Sequence, residues 1–248
     1  MMLPLEPSDL ASPLPIPLMS TTPPPPADSH HPVLTGREIE WQLATDDVQP
    51  VRDWLISQRR FGTLQFEPLA TQQLHDTYLD SADWGVLLAG FALRIRQCGA
   101  QAEVTLKGLR SARTDYADRR EVTETLVPRS TEPAGAPGAV GQWLRSVLGQ
   151  RSLQALFTAE TVRQRFAVYR TGNPNPCAEI ALDETTLLGS SASRCETLRR
   201  VEIEARDGSP HELEPLVEAL RRACGLWQAC ENKFAAGLRV AALQPPLC

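Results

Sequence analysis

Residues 37–43 read Arg37-Glu38-Ile39-Glu40-Trp41-Gln42-Leu43, an alternation of charged or polar with apolar side chains. Successive side chains of a β-strand point to opposite faces. Glu38, Glu40 and Gln42 therefore share one face, and Ile39, Trp41 and Leu43 the other. Two carboxylates on one face repel each other, so the offsetting charge must come from elsewhere in the chain.

The same parity sets Arg94 and Arg96 opposite Leu93 and Ile95, and Lys107 opposite Val104 and Leu106. Arg119 shares a face with Glu121, and Arg163 with Arg165, opposite Phe166 and Val168. Glu179 and Asp183 oppose Ile180 and Leu182, and Glu202 and Glu204 oppose Val201 and Ile203. Alternation of this kind predicts strands over 37–43, 91–98, 103–107, 119–126, 161–169, 179–187 and 201–205, with a further strand pair within 63–79. About eight strands suggest a mainly antiparallel barrel or a strongly curved sheet.

Apolar spacing predicts three helices. One carries Val48, Val51, Trp54 and Leu55, and a second carries Val140, Trp143, Leu144, Val147 and Leu148, ended by Gly149. The third carries Leu213, Leu216, Val217, Leu220 and Cys224, with Ser209 as N-cap, Pro210 at the first position and Glu212 as capping-box partner. Each is apolar on one side only, as expected of a helix that covers a sheet.

For any single dyad, a solvent face on a helix-backed sheet is the ordinary reading. Here, however, arginine pairs and carboxylate pairs occupy separate strands in blocks. A water-filled tunnel resolves the repulsion, because its cations can bind phosphate oxygens while its carboxylates hold Mg²⁺ or Mn²⁺. The fold expected is α+β: a closed, mainly antiparallel eight-stranded β-tunnel with helices packed on the outside.

The chain of 248 residues has a net charge of -5, which gives no global attraction to nucleic acid or to an anionic membrane. Six cysteines without zinc-type spacing read as reduced thiols. With no apolar run long enough to span a bilayer, the expectation is a cytoplasmic protein, monomer or homodimer, binding neither nucleic acid nor membrane. Residues 1–33, rich in proline, read as a disordered leader, residues 34–243 as one domain, and Pro128 to Gly138 as a loop. His30, His31, His75 and His211 have structural or solvent roles, and the five tryptophans, Trp41, Trp54, Trp84, Trp143 and Trp227, read as packing residues.

In this order the motifs resemble the CYTH superfamily, the triphosphate tunnel metalloenzymes, and within it the bacterial inorganic triphosphatases. Its first-strand ExExK motif is matched by Glu38-Ile39-Glu40-Trp41-Gln42. Further matches are Thr77-Tyr78-Leu79-Asp80 entering a short helix, Ala92-Leu93-Arg94-Ile95-Arg96, Thr105-Leu106-Lys107, Arg119-Arg120-Glu121 and Arg163-Gln164-Arg165. Glu179-Ile180-Ala181-Leu182-Asp183, Glu202-Ile203-Glu204 and Asn232-Lys233-Phe234 follow near the last helix. The departure is Gln42, which stands where the family carries lysine and gives up a charge-assisted bond.

The resemblance implies metal-dependent hydrolysis of inorganic triphosphate or a small organic triphosphate. Arg94, Arg96, Lys107, Arg119, Arg163, Arg165 and Lys233 would bind the phosphate chain. Glu38, Glu40, Glu121, Asp183, Glu202 and Glu204 would coordinate Mg²⁺ or Mn²⁺, and Glu38, Glu40, Gln42 and Lys107 form the catalytic set. Gln42 keeps open a catalytically weak module binding polyphosphate or a nucleotide. An adenylate cyclase of the CyaB type ranks third.

Overall fold

The computed structural model describes residues 34–111, 115–126, 132–189, 194–207 and 209–246. The leader at 1–33 and residues 128–131 of the 128–138 loop lie outside these residues. In chain order the elements are β1 (Arg37–Ala44), α1 (Gln49–Gln58), β2 (Arg60–Phe61), β3 (Leu64–Pro68), β4 (Gln72–Ser81), α2 (Gly85–Leu88), β5 (Phe91–Cys98), β6 (Gln101–Gly108) and β7 (Ala117–Thr125). After these come α3 (Ala139–Leu148), β8 (Leu153–Arg170), β9 (Pro176–Leu188), β10 (Cys195–Ala205), α4 (Glu214–Cys224), β11 (Trp227–Gln228) and α5 (Lys233–Val240).

The strands pair in the order β8-β4-β5-β6-β7-β1-β10-β9, and β9 returns to β8, so the sheet closes into an eight-stranded antiparallel barrel. β3 and β2 extend from β8, and β11 adds to β1. Strand β8 makes closure possible: over its 18 residues it pairs with β4, β3 and β9.

Two apolar clusters lie outside the barrel wall. Ile39, Trp41, Ile180 and Ile203 face Val51 and Leu55 of α1 and Leu216 and Leu220 of α4. Leu93, Ile95, Val104 and Leu106 face Val140, Trp143 and Leu144 of α3. The alternation read from the sequence therefore runs apolar outward, under helices, and charged inward. α5 packs differently, at one end of the barrel: Phe234, Ala236 and Leu238 meet Tyr78, Ala92, Phe157, Ala159 and Leu187, which lie on the inward parity of their strands.

Three local expectations are corrected. Pro210–Glu212 forms a 3₁₀ turn, and α4 begins at Glu214 with Leu213 as its N-cap and no side-chain cap, so the Ser209/Glu212 capping box does not form. Strand β8 begins at Leu153, eight residues before the alternation becomes visible. Trp227 is 43% exposed on β11, whereas Trp41 and Trp143 are core residues. Cys98, Cys177, Cys195, Cys224 and Cys230 are free thiols, and Cys248 is not among the described residues. No helix among the described residues is long and apolar enough to cross a membrane.

Candidate functional site

The barrel holds a cavity lined by Glu38, Glu40, Gln42, Arg94, Arg96, Lys107, Arg119, Glu121, Arg163, Glu179, Glu202, Glu204 and Lys233. It continues into a second cavity that shares Arg94, Arg96, Glu121, Arg163, Glu179 and Glu204 and adds Arg165 and Arg206. Charged side chains from seven strands, β1 and β5 to β10, are thus brought to one lumen.

The acidic wall is made by three adjacent strands. Glu40 stands opposite Glu204 and Gln42 opposite Glu202 across β1 and β10, and Glu204 stands opposite Glu179 across β10 and β9. The cations come mainly from β5, β6, β7 and β8, with Lys233 supplied by the first residue of α5.

These walls neutralise each other through short contacts. Arg163 donates to both oxygens of Asp183, each at 2.7 Å, and to Glu202 at 2.5 Å. Arg165 holds Glu179 at 2.8 and 2.7 Å. Lys107 donates to Glu38 at 2.8 Å and lies 3.1 Å from Glu121. Arg119 donates to Glu38 at 2.9 Å and Glu40 at 3.2 Å, and Gln42 Nε2 donates to Glu40 at 2.7 Å. Lys233 donates to Asp183 at 3.1 Å. Such bidentate, charge-assisted bonds are the strong ones.

The site contains a carboxylate that the sequence reading did not single out. Asp76 of β4 is fully buried and accepts both donors of Arg96, at 2.7 and 2.8 Å, with Arg94 at 3.9 Å. Burial opposes its ionisation, but Arg94 and Arg96 hold it well below the usual carboxylate range. Its neighbour Asp80 is structural: Oδ1 accepts from the backbone N–H of Ser81 and Val86, and Oδ2 from Leu87, fixing α2.

The protonation of the acidic wall is uneven. Burial first, then Glu38 and Glu202, push Glu40 up to about 8, against the pull of Lys107 and Arg119. Burial likewise raises Glu204, whose nearest cation, Arg206, is 3.6 Å away. Around Glu121, burial is outweighed by Lys107 and Arg94, which hold it at about 2. Around Glu202, Arg163 and Lys233 outweigh burial and keep it ionised.

This pattern fits a hard divalent cation in donor chemistry and in charge: Glu40, buried among Glu38 and Glu202, stands opposite Glu204, whose nearest cation is 3.6 Å away, and carboxylate oxygens suit Mg²⁺ and Mn²⁺. The donors are not drawn together in advance, for among the described residues no three acidic, histidine or cysteine groups form a ready metal cluster. Asp183 is fully buried behind Arg163 and is absent from the cavity lining, so the structure sets it apart from the other carboxylates. Of the histidines, His75 and His211 lie outside the lumen, and His30 and His31 are not among the described residues.

Comparison with known proteins agrees with this geometry. No curated protein matches the chain. A solved structure from Hippeastrum, described as a candidate adenylyl cyclase with a dominant triphosphatase activity, is 17% identical with a TM-score of 0.61, covering 84% of this chain and 98% of that one. A candidate adenylate cyclase from Bacillus halodurans is 22% identical with a TM-score of 0.53, covering 82% of this chain and 98% of its own. At these identities the likeness shows the fold. The family model of the CYTH domain matches residues 50–236, from α1 to α5. A match over most of the sequence, on a closed barrel with a charged lumen, shows that this chain belongs to the CYTH domain family.

Proposed function

We propose that the protein hydrolyses inorganic triphosphate or a small organic triphosphate with the help of a divalent cation. The observation that carries this reading is the lumen itself: a wall of carboxylates on β1, β10 and β9 faces guanidinium and ammonium groups on β5, β6, β7 and β8. A chain of phosphates is the small ligand that can occupy many cations in a row while needing a cation of its own.

In this reading Arg94, Arg96, Lys107, Arg119, Arg163, Arg165 and Lys233 bind and align the phosphate oxygens. Glu38, Glu40, Glu202 and Glu204 would hold Mg²⁺ or Mn²⁺, with Glu121 beside them. The bound cation would supply Lewis-acid charge to the phosphates. Gln42, bonded to Glu40, orients that carboxyl group without adding charge. Glu204 has the weakest cation contact of the wall, and burial raises its basicity, so it is placed to accept a proton from attacking water. Most of the rate enhancement then comes from positioning and fixed charge, as phosphoryl transfer requires.

Two aromatic rings line the cavity, Tyr78 and Phe234, and both are engaged: Tyr78 stacks on Phe157 at 4.5 Å and meets Phe234 at 5.8 Å. They are 6% and 7% exposed, which favours an inorganic chain over a nucleotide that needs a stacking face.

The test is phosphate release from inorganic triphosphate with Mg²⁺, Mn²⁺ or EDTA, in the native chain, Glu204→Ala and Gln42→Lys. Expected are turnover with a divalent cation, loss with EDTA, and a decrease of about 10²-fold or more in Glu204→Ala. Binding without turnover, restored by Gln42→Lys, would instead establish a binding module in which the neutral residue at position 42 has silenced the chemistry. Cyclic AMP formed from ATP would favour a cyclase.

A further inference from the structure

One buried cation on the inward side of the barrel wall stands apart. Arg200 of β10 has the parity of Glu202 and Glu204, so its side chain leaves the strand on the lumen side. It is 5% exposed, and its Nε and Nη1 have no hydrogen-bond partner. Burying a guanidinium without a counter-charge is costly, and the other lumen cations described above all have a carboxylate at hand.

The register explains where a partner can come from. Arg163, Asp183 and Arg200 form one row across β8, β9 and β10: Asp183 lies directly opposite Arg163 on one side and directly opposite Arg200 on the other. Directly opposed side chains in an antiparallel pair have Cβ atoms about 4.5–5.5 Å apart, well within the reach of an arginine. The fully buried carboxylate leans to β8, where Arg163 takes both oxygens at 2.7 Å and Lys233 adds a bond at 3.1 Å. It can lean to either neighbour.

We propose that Arg200 is a positioning residue for anion binding: when Arg163 and Lys233 turn to a phosphate chain, the carboxylate of Asp183 passes to Arg200. The inference rests on the triphosphate reading of the site. Nε and Nη2 of Arg163 are engaged by Asp183 and Glu202, so a phosphate that takes this edge of the guanidinium displaces at least one of the two carboxylates. Without Arg200, that release would strand a buried carboxylate and oppose ligand binding. With it, the released carboxylate meets the guanidinium that lacked a partner, and neither is left buried alone. Ala44, opposite Arg200 on β1, has no polar side-chain group to compete.

The test combines calorimetric titration of the full chain with inorganic triphosphate and thermal melts of the ligand-free protein. Arg200→Met should melt at or above the native temperature, since it removes an unpaired buried charge, yet bind triphosphate at least 10-fold more weakly. Arg200→Lys should restore most of the affinity. In an Asp183→Asn background, where no carboxylate can be stranded, Arg200→Met should cost less than twofold.

Native affinity in Arg200→Met would overturn the inference alone. An equal loss with and without Asp183 would also overturn it, by showing that Arg200 touches the ligand directly. Arg200→Gln gives the same comparison if the methionine variant does not fold. A native chain that binds no triphosphate would overturn the reading of the site, and this inference with it.

Discussion

At Glu40, burial and two neighbouring carboxylates act in the same direction, lifting the group from an ordinary 4.5 to about 8. A carboxyl group whose folded value is raised contributes stability that is fully present below its unfolded value and is lost as pH rises through the folded one. The ligand-free protein should therefore weaken between about pH 4.5 and 8. Glu40→Gln removes the titration, so its melting temperature should match the native value near pH 5 and exceed it increasingly toward pH 9. A difference that does not change with pH would refute this account.

Residues of this kind were legible in the sequence only as dyads. Glu38 with Glu40, Arg94 with Arg96 and Glu202 with Glu204 announce a polar face because their neighbours are apolar. Asp76 was not legible: its inward neighbours Leu74 and Tyr78 are apolar or aromatic, so one carboxylate in that row reads as a solvent residue. Arg200 was hidden beside Arg199, which is exposed and pairs with Glu184. Parity can assign a face, but it cannot show which of two adjacent arginines is left without a partner.

At the scale of elements, α5 joins the apolar end of the barrel to the charged lumen. Its Asn232 caps the helix by accepting from Ala235, and the next residue, Lys233, reaches Asp183. The helix approaches β8 so closely that a Cβ on Gly237 would lie 2.0 Å from the ring of Phe157. Gly237→Ala must push the helix outward, at a cost of about 1–3 kcal/mol for an overpacked contact. A lower melting temperature accompanied by weaker triphosphate binding is expected, because Lys233 moves with the helix. Unchanged affinity in a destabilised variant would separate the two roles.

The same packing explains what sequence patterning missed in β8. From Leu153 to Glu160 its inward positions include Phe157 and Ala159, which face α5 and not water. A strand with apolar residues on both sides loses the period-two signal, so the alternation became visible only at Thr161. α4 failed its predicted start for a different reason: Leu213 N–H bonds to Pro210, closing a 3₁₀ turn where the capping box would have begun.

For the molecule as a whole, charge is organised locally against a net value of -5. Several lumen carboxylates are held below their ordinary values, Glu121 at about 2. Their contribution to stability is present above the unfolded value of 4.5 and is lost as pH falls through the folded values. Together with Glu40, this predicts a ligand-free stability maximum on the mildly acidic side of neutrality, with an acid limb that extends toward pH 2. Urea midpoints at pH 3, 5 and 8 would test it: a midpoint at pH 5 no higher than the other two would contradict the balance described.

The closed sheet was legible at this scale because a row of segregated charges has few other homes. The pairing of β9 with β8, which completes the ring, was not, since a strand's own alternation does not say which neighbour it takes or that Arg163 comes to lie opposite Asp183.

That register makes the empty tunnel its own competitor. On the reading proposed above, Arg96, Arg119, Arg163 and Arg165 already hold carboxylates that imitate the phosphate they would bind, so an incoming anion must displace a partner attached to the same protein. A lone orthophosphate can displace one such partner and leaves its carboxylate behind; a longer chain that arrives with a metal ion satisfies both walls at once. Discrimination against the abundant small anions of a cell then follows from the resting state of the barrel, with no gate or size filter required.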